Sequence, residues 1–196
     1  MMNRKWEKFQ KICFWLGIGL LASAGIVLIS WQQGIRISER RAEAYVHTLR
    51  TLIPEPQGAV PEERTDNAMP VLSAEGTDFI GILEIPRHDS ALPVCAEWGK
   101  PFRYPCCLSG SVYDRSILIG GTSQKGQYDF YREISVGDEF FFTDMTGNRY
   151  SYAVKDIAYK KRADSTSLKS EDAALTLFIK NIYAFEYILI YCDTIH

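Results

Sequence analysis

A chain of 196 residues with a formal net charge of -2 holds one ordinary domain plus extra segments, and gives no electrostatic case for nucleic acid. Its 46% hydrophobic and 23% charged content is that of a globular protein, which excludes a wholly disordered chain. Aromatics at 13%, mostly Tyr and Phe in strand-like runs, favour a β-rich core.

Residues 1–11 carry Arg4, Lys5, Lys8 and Lys11 and read as a short cytoplasmic tail. Residues 12–31 follow without a charge, the length a helix needs to cross a bilayer, with Trp15 and Trp31 placed for the two interfaces. A cleaved signal peptide with "ASA" as its small-residue site is the competing reading, but the apolar run continues past it, longer than an ordinary h-region. The segment is therefore expected to be a retained anchor in contact with membrane lipid. Arg36, Arg40 and Arg41 follow it, so the basic count only slightly favours the N-terminus inside. The short tail and long C-terminal part make N-in, C-out the more natural orientation, with the C-terminal domain outside the cell, an environment that permits disulfides.

Residues 32–53 are expected to form a juxtamembrane stalk helix, with Ile37, Ala44, Tyr45, Thr48, Leu49 and Leu52 near one face and charges opposite. That face is open to pairing with another chain. Residues 54–77 hold four prolines and many polar residues, a composition that reads as a flexible linker. Folded sequence resumes at "DFIGILEIP", and residues 78–196 read as one domain. Phe79 to Ile85 is a strand ended by Pro86, and "ALPV" at 91–94 is a short extended piece. "SILIGG" at 116–121 is a continuous apolar run suited to a strand covered on both faces. "YDFYREI" reads as one or two helical turns, and Val136–Asp138 as a turn. "EFFFTDMTGNRYSYAVKDIAYK" reads as a hairpin turning at Met145–Asn148, where Gly147 and Asn148 tolerate positive φ. "ALTLFI" and "YILIYC" supply the last two strands. Strands at this spacing predict an all-β barrel or sandwich.

Metal and cofactor chemistry has little foothold. The five cysteines (Cys13, Cys95, Cys106, Cys107, Cys192) include no C-x-x-C pair, and His47, His88 and His196 are far apart in the chain. Asp138, Glu139 and Asp144 read as solvated turn residues rather than a calcium cluster. No cofactor is expected.

The order of these segments resembles the sortase family, the cysteine transpeptidases that attach proteins to Gram-positive cell walls. "GILEIPRHDSALPV", "PCCLSGSVY", "ILIGGT", "VGDEFFFTDMTGNRYSYAV" and "LTLFIK … EYILIYC" carry the resemblance, from about Phe79 to Cys192. It is nearest to small, membrane-anchored clostridial-type sortases of class B or D character. It implies an eight-stranded β-barrel and three catalytic side chains: a histidine ending I-A-G-H, a cysteine ending T-L-x-T-C, and an arginine on the next strand. The cysteine attacks a threonine–glycine bond in a sorting signal, the histidine protonates the leaving amine, and the arginine stabilises the oxyanion or positions the peptide.

This sequence departs at all three places. "IGGT" puts Thr122 at the histidine position, "TLFIK" puts Ile179 and Lys180 at the threonine and cysteine, and "YILI" puts Tyr187 at the arginine. The resemblance thus implies a sortase-like protein without its triad. Thr122, Ile179, Lys180 and Tyr187 are the candidates for lining a peptide groove. Expected partners are a sorting-signal peptide, a pilin or an active sortase.

Chemistry by other groups is the alternative: an active sortase-class enzyme with altered catalytic groups, anchoring proteins to the cell wall. A nucleophilic Lys180 needs burial or a neighbouring cation, Lys125 and Arg132 being the candidates. Thr122 has no evident base, and Tyr187 offers one donor where arginine offers a rigid fork. A new thiol nucleophile would need His88 beside it. Cys106 and Cys192 resemble positions where related sortases carry non-nucleophilic cysteines. A bridge from Cys106 or Cys107 to Cys192 or Cys95 competes with buried free thiols, Cys106–Cys192 being the candidate pair.

Overall fold

The computed structural model describes residues 3–54, 67–99, 103–161 and 172–195, with backbone alone for 3–12 and 31–39. The tail's first two residues, linker residues 55–66 and His196 lie outside the described residues. One helix, α1, spans Asn3–Leu52, and the chain divides after Ser38 into two compact units.

In the first unit, Cys13–Ser30 has a mean hydropathy of 2.1 and is long and apolar enough to cross a membrane. Phe14, Trp15, Leu21 and Ile26 are all exposed along it. Ser23 and Ser30 donate their hydroxyls to the carbonyls of Leu20 and Ile26, each at 2.8 Å, so neither adds an unpaired donor to an apolar surface.

The second unit, from Glu39 onward, is a closed barrel with the end of α1 against it. Its strands among the described residues are β1 (Leu72–Ala74), β2 (Thr77–Ile85), β3 (Ser90–Cys95), β4 (Cys106–Ser109), β5 (Ile117–Thr122), β6 (Glu139–Asp144), β7 (Arg149–Lys160), β8 (Leu175–Asn181) and β9 (Glu186–Thr194). They run in the order β1-β2-β3-β4-β5-β8-β9-β7-β6, and β6 pairs back onto β2. Eight strands, β2 to β9, thus close the expected barrel, with β1 as an added strand on β2. Ladders are antiparallel except β3–β4 and β5–β8.

Alternation sets two faces on each strand. Ile117, Ile119, Leu175, Leu177, Ile188 and Ile190 fill the interior. Between them, Leu118, Phe178 and Leu189 point to the outer face, where they form their own buried cluster with Leu108, Ala158, Tyr187 and Tyr191.

Another part of the outer face is covered by α1. Ala42, Val46 and Leu49 are buried against Phe79, Ile82, Cys95, Tyr104 and Cys106, with Tyr45 and Ile53 packed alongside. The Tyr45 ring lies 5.4 Å from Phe79 and 5.5 Å from Tyr104. The buried stripe is 42, 45, 46, 49 and 53, rotated from the face expected from sequence, and Leu52 is 55% exposed. The rotation follows the barrel: the apolar outer sides of β2, β3 and β4 need cover. Leu49→Ala is therefore expected to destabilise the barrel by about 2–5 kcal/mol, the cost of a buried leucine in a core. Urea unfolding of the full chain in detergent micelles measures this, and an unchanged midpoint would show that the helix end adds nothing to the barrel.

The sheet also begins before residue 78. Leu72 pairs with Phe79 and Ala74 with Thr77 across the two-residue turn Glu75–Gly76, both at positive φ (49° and 76°). Residues 72–77, placed in the linker by composition, belong to this hairpin. The hairpin at 145–148 turns as expected, with Gly147 at φ 87°. Asp144 holds it: its Oδ1 accepts from the amides of Thr146 and Asn148, each at 2.9 Å. Asp144 is fully buried, a correction to its reading as a solvated turn residue.

Candidate functional site

Thr122, Lys180 and Tyr187 stand side by side. Thr122 pairs with Lys180 across the parallel β5–β8 ladder, and Lys180 with Tyr187 across the antiparallel β8–β9 ladder. Lys160 of β7 pairs with Tyr187 and extends the row. In a ladder, paired residues share a face, so all four project from the outer side at one end of the barrel. The next row inward along the strands is Gly120, Phe178, Leu189 and Ala158.

Ile179 is not part of this surface. It lies one residue before Lys180, so its side chain points the other way, and it is fully buried in the interior cluster.

Each member of the row is held differently. Thr122 is buried, and both its amide and its hydroxyl donate to Gln127 Oε1, at 2.7 and 3.1 Å. Its hydroxyl proton thus goes to a neutral amide oxygen, which is no base. The Tyr187 ring stacks on Phe178 at 5.3 Å and 16°. Lys180 is exposed.

Beneath the row lies a buried polar network that the sequence did not disclose. Ser123 donates its amide to the Lys180 carbonyl at 3.0 Å and its hydroxyl accepts the Ile182 amide at 3.2 Å. Asn181, 1% exposed, donates from Nδ2 to Tyr131 OH and to Glu186 Oε1, both at 2.9 Å. Arg132 Nε donates to the same Tyr131 hydroxyl at 2.9 Å. Arg132 is thus bound to this network. These contacts fix the loops after β5 and β8, and with them the backbone of Thr122 and Lys180.

The two glycines of "IGGT" are explained by rings on both sides of β5. A Cβ on Gly120 would come within 2.5 Å of Trp98 Cζ3, and one on Gly121 within 2.5 Å of Tyr128 Cε2. Trp98 therefore lies on the outer floor beside the row. Tyr128 is fully buried on the inner side, and burial pushes its phenol well up.

Elsewhere, His88 stacks on Phe130 at 4.8 Å, with Nδ1 3.7 Å from Glu133 Oε2. Asp138 accepts from Arg87 NH1 at 2.6 Å and from the Ser135 amide at 2.8 Å. Among the described residues no group of three or more His, Cys, Asp or Glu is placed to hold a metal ion. All five cysteines are free thiols. Cys192 lies in the barrel interior and Cys106 in the outer cluster under α1, so the wall of the barrel separates the candidate pair. Cys106 pairs instead with Cys95 on the neighbouring strand.

The barrel is that of the sortases. Sortase A from Corynebacterium diphtheriae matches with a TM-score of 0.53 at 18% identity, over 61% of this chain and 62% of that one. Sortase C from Clostridium perfringens, solved with the C-terminal cell wall sorting motif, matches at 0.53 and 18%, over 61% and 72%. Sortase C1 from Streptococcus agalactiae matches at 0.52 and 19%, over 63% and 71%. The chain thus spans less than two thirds of the length of the Corynebacterium enzyme. No protein-family model matches the sequence, and no curated protein matches it either. The chain has the sortase fold.

Proposed function

We propose that this chain is a membrane-anchored member of the sortase family that has lost transpeptidation and works by binding. The observation that carries the reading is the row itself. The three positions read by resemblance as those of the triad pair with one another across neighbouring strands, and they are threonine, lysine and tyrosine. The threonine hydroxyl is bonded to an amide oxygen and the tyrosine ring is stacked, so neither is poised for proton transfer.

The ligand class is read from the surface around the row and from a structural neighbour. Leu118, Phe178 and Leu189 form a buried apolar cluster, the half-buried rings of Tyr187 and Tyr191 packed on it present the accessible apolar surface, and Lys180 supplies an exposed cation at its end. The Clostridium enzyme was solved with a cell wall sorting motif. A sorting-signal peptide, alone or as part of a pilin, is the proposed ligand, and an active sortase the proposed partner in regulation. The apolar segment at Cys13–Ser30 is read as the anchor, with the N-terminus inside and the barrel outside.

Calorimetry of the full chain in detergent micelles, titrated with sorting-signal peptides, pilins and active sortases, tests the reading. The expected result is binding of at least one of them without turnover in a parallel transpeptidation assay. Turnover above a heat-killed control would establish an enzyme instead, and absence of binding to all of them would remove the proposal.

A further inference from the structure

The pairing of Cys95 with Cys106 has a chemical consequence. They are the sole residue pair of the β3–β4 ladder, and the Cys95 amide donates to the Pro105 carbonyl at 2.8 Å, fixing the register. Paired residues of adjacent strands lie about 4.8 Å apart, inside the range of about 4.4–6.8 Å that disulfides span between Cα atoms. Paired side chains also share a face, and both thiols belong to the cluster under α1. Adjacent Cys107 points away, its thiol donating towards the Ser109 and Gly110 carbonyls.

Although each cysteine is buried, both line an open cavity of about 450 Å³, bordered also by Asp78, Glu97, Arg103 and Tyr104. A small reagent therefore has a route to the sulfurs. The two thiols are also differentiated. The pairing with Cys95 lowers the Cys106 thiol against the opposing effect of its own burial, while the same pairing and burial push Cys95 up; the Cys106 thiol also donates to the Tyr104 carbonyl at 3.2 Å. The thiolate is the reactive form, so Cys106, once freed from the Tyr104 carbonyl, is the expected first attacker.

We propose that Cys95 and Cys106 are a dithiol site that closes to a cross-strand disulfide by exchange with a disulfide-bearing oxidant, either a small-molecule disulfide or the active-site disulfide of an oxidoreductase. Cys106 sulfur attacks one sulfur of the oxidant, releasing its first thiol and leaving a mixed disulfide. Cys95 then loses its proton and attacks the Cys106 sulfur, releasing the second thiol. Two protons and two electrons pass from the pair to the oxidant. The bond ties β3 to β4 at the base of the loop that carries Trp98, the ring lying over Gly120 on the outer floor.

The test is peptide mapping of the full chain in detergent micelles after exposure to oxidised glutathione. The expected result is a mass loss of two hydrogens and one linked peptide containing Cys95 and Cys106, separated by dithiothreitol. Cys95→Ser is expected to leave Cys106 trapped as its mixed disulfide with glutathione. The proposal is overturned if both cysteines remain open to alkylation on unfolding after treatment of the native chain, or if Cys106 links to Cys107 or Cys192. An unmodified Cys106 in the Cys95→Ser variant also overturns it, because the cavity then does not admit the reagent.

Discussion

A triple variant, Thr122→His, Lys180→Cys and Tyr187→Arg, is expected to gain thiol reactivity towards a sorting-signal peptide, giving a thioacyl adduct by intact mass. The reason is register. The backbone ladders place the three positions in adjacent strands, about 4.8 Å from one to the next, so imidazole, thiol and guanidinium would converge on one point. Lys180 is exposed, and its replacement costs little in packing. Restoring Thr122 in the triple variant is expected to slow adduct formation by about 10²–10⁴-fold, the usual worth of a positioned acid–base group. A folded triple variant with an unreactive thiol would show that the row is not a dormant triad. It would also remove the main support for descent from an active enzyme.

The second large effect concerns stability. Asp144→Ala is expected to destabilise the barrel by roughly 3–5 kcal/mol, since each buried donor left without an acceptor costs about 1–3 kcal/mol. The carboxylate accepts at Oδ1 from two amides and from the Thr146 hydroxyl at 2.7 Å. At Oδ2 it accepts from Tyr113 OH at 3.2 Å and Tyr150 OH at 3.4 Å. Burial, and after it the charge of Asp144, pushes the Tyr150 phenol up, which keeps it a donor. Asp144→Asn keeps an oxygen for the turn amides and should lose less than half as much. Urea unfolding of the two variants separates them, and a loss under about 1 kcal/mol for alanine would contradict the assigned role.

The sequence disclosed those parts of the fold whose signal is local. Long apolar runs such as "ILIGG" and "YILIYC" became β5 and β9, and the Gly147 turn became the β6–β7 hairpin. It did not disclose β1 or β4. Those strands are three and four residues long and exist because neighbours offer them hydrogen bonds, not because their residues alternate. The stalk face was misjudged by about one position, since the barrel decides which stripe is buried. At the site, Thr122, Lys180 and Tyr187 were legible only through motif resemblance, because no periodicity reports strand register. Gln127 and Asn181 belong to no motif and act through contacts formed only after folding. The Cys95–Cys106 pairing was one of several left open by the sequence, since ten intervening residues say nothing about which strands become neighbours.

If Cys13–Ser30 anchors the chain as proposed, the docking of the α1 end has a consequence for release. Ala42, Val46 and Leu49 are joined to the barrel through the chain after Leu52 and, separately, through their packing on Phe79 and Ile82. A protease cutting between residues 54 and 67 would break only the first of these connections. The two fragments would stay associated, as in a nicked protein whose halves remain complementary. Under the proposed anchoring, shedding of the barrel therefore requires either a cut before residue 42 or local unfolding of the helix from β2–β4.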